Sequence, residues 1–261
     1  MAESGDRLRN PVKRTLAAGG EAVGAFVRMG CAEPAELLAY AGFQFVVVDG
    51  EHALTDDGTI ATVVRAAEAA GAAAFVRPPS CDPSTVGHLL ETGASGVHLP
   101  QANTVATLAA AIAAVKYPPF GARGLATARR AGYGMLMSLA EYIEAANRET
   151  LVVAQVETAD AIDHVGDIAR TPGLDVLFVG LTDLTADLGI PGEYEHPDVD
   201  DALARAARAA LDARVALGVP VTGPPMLERM RRAGARYFTA NDIRLLSDAA
   251  SSFLTQSGFN R

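Results

Sequence analysis

Short runs of branched and aromatic residues alternate along this chain with longer, alanine-rich segments of helical period. Eight of the short runs read as strands: residues 24–28 (GAFVR), 45–49 (FVVVD), 73–77 (AAFVR), 96–99 (GVHL), 151–157 (LVVAQVE), 175–180 (DVLFVG), 219–222 (VPVT) and 236–240 (RYFTA). Most show little internal apolar–polar alternation, as expected of parallel strands covered by helices. The segments between them carry helix signals. DPSTVGHLLETGASG opens with Asp82 as a cap and Pro83 at the first helical position, and Gly93 falls near its end. RAAEAAGAA and LARAARAALDARVALG set arginines and acids against faces of Ala and Leu, so both are expected as outer helices.

Strand–helix alternation with eight strands predicts an α/β fold, a single (β/α)8 TIM barrel over residues 1–261 with 1–9 flexible. A doubly wound sheet is the alternative, but no Gly-x-Gly-x-x-Gly follows the first strand to support nucleotide binding. Residues 10–19 (NPVKRTLAAG) predict a short capped helix across the bottom of the barrel. The link 116–150, containing YPPFGARGLATARRAGYG, is too rich in Gly, Pro and Arg for a core element, and links of that length are usually functional or mobile.

Composition narrows the function. A chain of 261 residues is long for one ordinary domain and matches a barrel of about 250. A formal charge of −9 argues against a nucleic-acid partner, because a phosphate backbone is bound by basic surface. No apolar run approaches the roughly 20 residues of a membrane span, and the polar, basic start lacks a signal-peptide core. Cys31 and Cys81 lack metal-ligand spacing and are too few for a disulfide scaffold. The expectation is a cytoplasmic protein with neither membrane nor nucleic-acid partners.

In TIM barrels the chemistry sits at the carboxyl ends of the strands. Those ends carry Asp49, Glu51 and His52 after the second strand, Arg77 at the end of the third, Gln101 after the fourth, Glu157 at the end of the fifth and Asp183 after the sixth. Each has an ordinary reading alone. His52 would be a structural hydrogen-bonder, Arg77 would pair with a neighbouring acid, and Glu157 and Asp183 would cap the helices that follow them. Gathered at one rim they are harder to dismiss, because burying them together costs several kcal/mol unless a ligand or metal compensates.

Two carboxylates with water suit a hard divalent cation, Mg²⁺ or Mn²⁺. Arg77 offers a planar fork to a substrate carboxylate. A cation and an arginine together hold a 2-oxo acid and draw off charge as a neighbouring carbon–carbon or carbon–hydrogen bond breaks. His52, oriented by an acid such as Asp49, would serve as general base. The chain has two lysines, Lys13 and Lys116, and neither ends a predicted strand. A Schiff-base aldolase needs a buried lysine, so an enolate formed here would be held by metal.

The stretches AGFQFVVVDGEHA, FVRPP, YPPFGARGL, ETLVVAQVETADAIDHV, GLDVLFVGLTDLTADLG and GARYFTANDIRLL resemble, in order, the HpcH/HpaI family of metal-dependent, pyruvate-using aldolases. The resemblance runs from about residue 10 to 250. It implies that His52 is the catalytic base with Asp49 as its dyad partner, and that Arg77 binds the oxo acid and stabilises its enolate. It implies that Glu157 and Asp183 hold the divalent metal, Mg²⁺, Mn²⁺ or Co²⁺, and that backbone amides at Gly180, Leu181 and Thr182 receive the substrate carboxylate. Arg123, with Gly124, would shape the site from its loop, and Glu51 would be structural. Family members are usually hexamers, trimers of dimers, whose last helix swaps onto a neighbouring barrel, and the apolar LLSDAASSFL is compatible with that.

Three departures touch the pocket. Leu181 stands where the family commonly has proline, strand four reads Val97-His98-Leu99-Pro100-Gln101 in place of more apolar residues, and VTGPP follows strand seven. The implied reaction is reversible cleavage of a 4-hydroxy-2-oxo acid to pyruvate, or an analogue, and an aldehyde. Oxaloacetate decarboxylation or an enolate-condensing synthase uses the same enolate, and a catalytically dead scaffold is the reading from another class.

Overall fold

Eight parallel strands pair in chain order and close on themselves: β1 (Ala22–Val27), β2 (Phe45–Asp49), β3 (Ala73–Arg77), β4 (Gly96–Leu99), β5 (Leu151–Val156), β6 (Val176–Val179), β7 (Ala216–Pro220) and β8 (Ala235–Asn241). β8 returns to β1, with Ala22 opposite Tyr237. This is the (β/α)8 barrel that the strand pattern predicts, in a computed structural model that describes residues 8–126 and 128–259. Of the stretch expected to be flexible, 1–7 lie outside the described residues, whereas Leu8 is 1% exposed.

The missing alternation has a direct cause. Along β2, Phe45 and Val47 enter the barrel interior while Val46 and Val48 meet the helices, so both faces are apolar. The interior is packed by side chains such as Phe75, Val153, Phe178 and Tyr237, and Val12 and Leu16 of α1 (Pro11–Ala17) close it from below. Asn10 fixes α1 there: its side chain accepts from Lys13 N and donates to Ser95 O, and its backbone amide donates to Glu149. Gly24 leaves room for the Phe45 ring, since a Cβ would lie 2.3 Å from it.

Outside stand α2 (Glu33–Tyr40), α3 (Asp57–Ala69), α4 (Pro83–Leu90), α5 (Val105–Val115), α7 (Ala159–Asp163), α8 (Val165–Ala169), α9 (Leu181–Asp187), α10 (Pro197–Ala213) and α11 (Pro224–Arg232). Asp82 caps α4 by accepting from Thr85 N, as its position predicts.

Two expectations need correction. β7 begins at Ala216, three residues before the expected 219, because α10 ends early: Arg214 takes a left-handed conformation, φ 60°, where no glycine signals a stop. The link 116–150 holds a core helix, α6 (Leu139–Glu149), preceded by a short 3₁₀ turn at Arg129–Gly134. Ser138 and Glu141 form a reciprocal capping box, and Tyr142, Ala145 and Ala146 pack on Leu8, Tyr117 and Met137. The carboxyl-terminal helix α12 (Asp242–Gln256) buries only Asp242 against its own barrel.

Candidate active site

The carboxyl end of β2 delivers Asp49, fully buried, directly across the strand register from Arg77 of β3. Arg77 Nε donates to Asp49 Oδ1 at 2.9 Å and Nη2 to Oδ2 at 2.6 Å. The same carboxylate accepts from the amides of Glu51 and His52, at 3.0 and 3.2 Å, so it also shapes the DGEH turn. Burial alone would raise its pKa, but the Arg77 hydrogen bonds and charge, with these amides, hold it below the ordinary carboxylate range. The Arg77 guanidinium lies over the Phe26 ring, 4.4 Å from its centroid.

This arrangement corrects two expectations. Asp49 is not the partner of the His52 ring, because its oxygens are taken by Arg77 and the turn. The histidine side chain is 51% exposed, and its Nε2 lies 3.6 Å from Glu51 Oε2. Arg77 spends one edge of its fork on Asp49, which leaves the outer hydrogen of Nη2 and Nη1, the latter already beside a second carboxylate. Glu51, read as structural from the sequence, sits among these groups: its Oε2 is 3.2 Å from Arg77 Nη1, and its Oε1 accepts from Gln101 Nε2 at 3.4 Å. Burial raises the Glu51 pKa against the pull of Arg77 and His52.

Glu157 follows β5. Its Oε1 accepts from the Gln101 amide at 2.9 Å and its Oε2 from Gln155 Nε2, while its own amide donates to Asn103. Gln101 turns its amide inward by adopting φ 48°, unusual for a residue with a side chain. The capping reading of Glu157 fails, since Thr158 caps α7. Burial, with the charge of Asp183 adding to it, raises the Glu157 pKa to about 7, although the Gln155 and Gln101 hydrogen bonds pull the other way. Asp183 stands in the first turn of α9, which has no side-chain cap; the first intrahelical bond there is Leu184 N to Gly180 O, so the amides of Leu181, Thr182 and Asp183 precede it. Gly180 makes room for the Glu157 carboxylate, because a Cβ would lie 2.7 Å from Glu157 Oε2 and displace it. The Leu181 side chain is buried in the outer core, and Thr182 Oγ1 lies 3.3 Å from the Tyr194 hydroxyl.

These groups line two adjoining cavities that share His52 and Asp183. One, of about 480 Å³, is bounded by Arg77, Gln155 and Thr182; the other, of about 290 Å³, by Glu51, Gln101 and Glu157. A larger surface cavity of about 840 Å³ meets the first of them at Thr222, but its arginine, Arg229, is already held by Asp200 and Tyr194 O.

Arg123 is not brought to this end. It pairs with Glu91 at 2.7 Å and stacks 4.9 Å from the Tyr117 ring, at the bottom of the barrel where α4 and α5 finish. Both lysines lie at that far end too, Lys13 on Thr150 O and Asp175, Lys116 on Asn147 O and Thr150 O. Sequence reading missed Gln155 and Asn103. Gln155 was accessible, since it precedes Glu157 by two residues and therefore shares its strand face.

The donors suit a hard cation. The charge of Asp183 adds to the cost of ionising Glu157 across a shared cavity, which a divalent cation would relieve. Among the described residues no three His, Cys, Asp or Glu side chains converge, so the chain would supply two carboxylates and leave other positions to water and substrate.

The model of the HpcH/HpaI aldolase/citrate lyase family matches residues 23–243. The chain is 31% identical over 255 residues, 97% of each chain, to a 4-hydroxy-2-oxo-heptane-1,7-dioate aldolase of Salmonella paratyphi C. It is 36% identical to a hydroxypyruvate/pyruvate aldolase of Paraburkholderia phytofirmans, covering 87% of this chain and 89% of that one. The crystal structure of an HpcH/HpaI aldolase/citrate lyase family protein from Burkholderia cenocepacia superposes with a TM-score of 0.89 at 35% identity, covering 95% of this chain and 99% of that one.

Proposed function

The chain belongs to the HpcH/HpaI aldolase/citrate lyase family, and on that premise we propose that it is a carbon–carbon lyase cleaving a 4-hydroxy-2-oxo acid reversibly to pyruvate, or a close analogue, and an aldehyde. The observation that carries this reading is the division of charge along the barrel: carboxylates, an arginine and a histidine at one end, and both lysines tied to carbonyls at the other. Neither lysine is placed to form a Schiff base at that rim. Members of this family generally depend on a divalent metal. Glu157 and Asp183 would hold it here, as Mg²⁺ or Mn²⁺, with Co²⁺ also suited to the site. When bound, it supplies Lewis acidity toward the oxo-acid carbonyl.

The chain's own residues do the rest. Arg77, fixed at one edge by Asp49, presents its remaining N–H groups to the oxo acid and offsets charge that builds on it. The amides at Leu181 and Thr182 face the same cavity, next to Gly180, and receive the substrate carboxylate, and Gln101 holds Glu157. His52, directly or through water, takes the proton of the C4 hydroxyl as the C3–C4 bond breaks. The electron pair of that bond passes to the C2 oxygen, the aldehyde leaves, and the proton on His52 is returned to C3 to give the oxo acid. Glu51, within reach of both His52 and Arg77, orients the imidazole.

The assembly is a homo-oligomer, a hexamer built as a trimer of dimers, with α12 exchanged between neighbours. Its exposed Leu246 and Phe253 support this, as large apolar side chains left in water on a helix that barely touches its own barrel. Cleavage of 4-hydroxy-2-oxo acids with Mn²⁺, followed alongside exchange of pyruvate methyl protons in D₂O, tests the reading. Turnover with proton exchange is expected. Rapid loss of oxaloacetate without cleavage would move the protein to the decarboxylating reading, and no reaction at all would return it to a scaffold.

A further inference from the structure

The interior of a TIM barrel is ordinarily filled by branched apolar side chains. Here it holds a polar column. Below the Arg77 and Gln155 level stands His98 of β4, fully buried between Phe26, with ring centroids 5.1 Å apart, and Phe178, at 4.6 Å. The Tyr237 ring lies further along, at 6.2 Å. Both His98 nitrogens, Gln155 Oε1, the Tyr237 hydroxyl and Thr239 Oγ1 are buried without a hydrogen-bond partner. Unpaired buried groups each cost about 1–3 kcal/mol, so such a cluster is kept only if its members satisfy one another or enclose water.

Their chemistry permits a consistent pairing. Gln155 Nε2 donates to Glu157 Oε2, and this leaves Gln155 Oε1 seeking a donor. A neutral imidazole gives one N–H and accepts at the other nitrogen, and a tyrosine hydroxyl can donate. Burial and the nearby Arg77 charge lower the His98 pKa to about 3, although Gln155 works against the shift, so the ring stays neutral throughout the physiological range.

We propose that Tyr237, His98 and Gln155 form a one-way hydrogen-bond relay, closed by small side-chain rotation or by an enclosed water, running from Tyr237 O–H to His98, from His98 N–H to Gln155 Oε1, and from Gln155 Nε2 to Glu157. His98 is thereby a positioning residue: it locks the Gln155 amide and so the carboxylate that Gln155 holds. The relay stands on the barrel interior alone; its consequence for cation binding rests on the role proposed for Glu157.

Long-range ¹H–¹⁵N spectra of the histidine rings in the metal-free protein, with His98 assigned by its loss in His98→Gln, test the relay. A single neutral tautomer is expected, with no protonation of the ring between about pH 5 and pH 8 where an ordinary histidine titrates. Tyr237→Phe should shift the accepting nitrogen toward its unbonded position. Averaged tautomers, titration in that range, or no response to Tyr237→Phe would overturn the relay. Mn²⁺ titration tests the positioning role. His98→Leu should weaken binding about tenfold or more, as for other residues that orient metal ligands. His98→Gln, which keeps a donor and an acceptor, should stay within about threefold of the parent chain. Equal losses in the two variants, or no loss in either, would overturn it. If His98→Leu does not fold, Tyr237→Phe takes its place and should give an intermediate loss. A parent chain that binds no Mn²⁺ would refute the metal reading and the positioning role with it, while the tautomer spectra still decide the relay.

Discussion

Asp49 and Arg77 face each other across β2 and β3 as a two-pronged ion pair, Nε to Oδ1 at 2.9 Å and Nη2 to Oδ2 at 2.6 Å, with both side chains buried. The pair uses the planarity of the guanidinium: one edge is consumed in holding its position, while Nη1, beside Glu51 Oε2 at 3.2 Å, and the outer hydrogen of Nη2 lie on the cavity side. An ammonium cannot divide itself this way. Arg77→Lys is therefore expected to lower kcat/KM by about 10² or more although charge is kept, and to leave Asp49 partly unpaired. Steady-state kinetics on a 4-hydroxy-2-oxo acid check this. Near-native turnover in the lysine variant would show that the fork is not what the substrate reads.

His52 and Glu51 make a separable claim. His52→Ala should lose about 10²–10⁴ in cleavage rate while still binding cation and pyruvate, as for loss of a general base. Oxaloacetate decarboxylation, which needs no proton taken from the substrate, should suffer less. Glu51→Gln keeps the shape beside Nε2 but removes the charge that orients the ring, so its kcat should fall roughly tenfold, short of the loss for the base itself. Calorimetry of cation and pyruvate binding, run with both assays, separates these outcomes from simple damage to the pocket. Equal loss of cleavage, decarboxylation and cation affinity in His52→Ala would mean that the histidine does not act as the base.

Lys13 and Lys116 are engaged at the bottom of the barrel, so neither lysine is available for covalent capture of an oxo acid. Exhaustive chelation is expected to abolish cleavage, Mn²⁺ or Mg²⁺ to restore it, and borohydride with pyruvate to leave it untouched. Mass spectrometry after borohydride treatment would reveal a trapped adduct if this assignment were wrong.

The barrel was legible because its strands are apolar on both faces and end in ionisable residues; Val46-Val47-Val48-Asp49 is the clearest case. What stayed hidden were relationships that pattern alone does not encode. Arg214 stops α10 with a left-handed backbone that sequence signals reserve for glycine. The Ser138–Glu141 capping box did announce α6, but the Gly- and Arg-rich run before it masked the signal. At the site, residue types pointed to the correct rim for Asp49, Arg77, Glu157 and Asp183, yet their pairings are set by three-dimensional competition. Asp49 has one carboxylate, and Arg77 together with two backbone amides outcompetes the His52 ring for it. Arg123 looked like a site residue from its motif and is held at the other end by Glu91, a partner 32 residues away.

Glu149, at the far end from the chemistry, offers a test of the fold alone. Its side chain accepts from the Asn10 amide at 3.1 Å, from Arg14 Nη2 at 2.7 Å and from Arg148 Nε at 3.1 Å, tying α1 to α6 beneath the barrel. Burial alone would raise its pKa, but these hydrogen bonds bring it from 4.5 down to about 2. A carboxyl whose pKa is lower folded than unfolded stabilises the fold as the anion; the contribution is complete above the unfolded value and fades as pH falls through the folded one. Glu149→Gln keeps the shape, loses the charge and leaves Arg14 and Arg148 facing an amide. At pH 7 it should therefore be less stable by on the order of 2 kcal/mol, the scale of hydrogen bonds to a charged group. The gap should hold down to about pH 5 and close progressively toward pH 2, where the parent carboxyl is itself protonated. Urea unfolding of both proteins across that range measures it. A gap that stays constant with pH would show that shape and not charge matters at this junction.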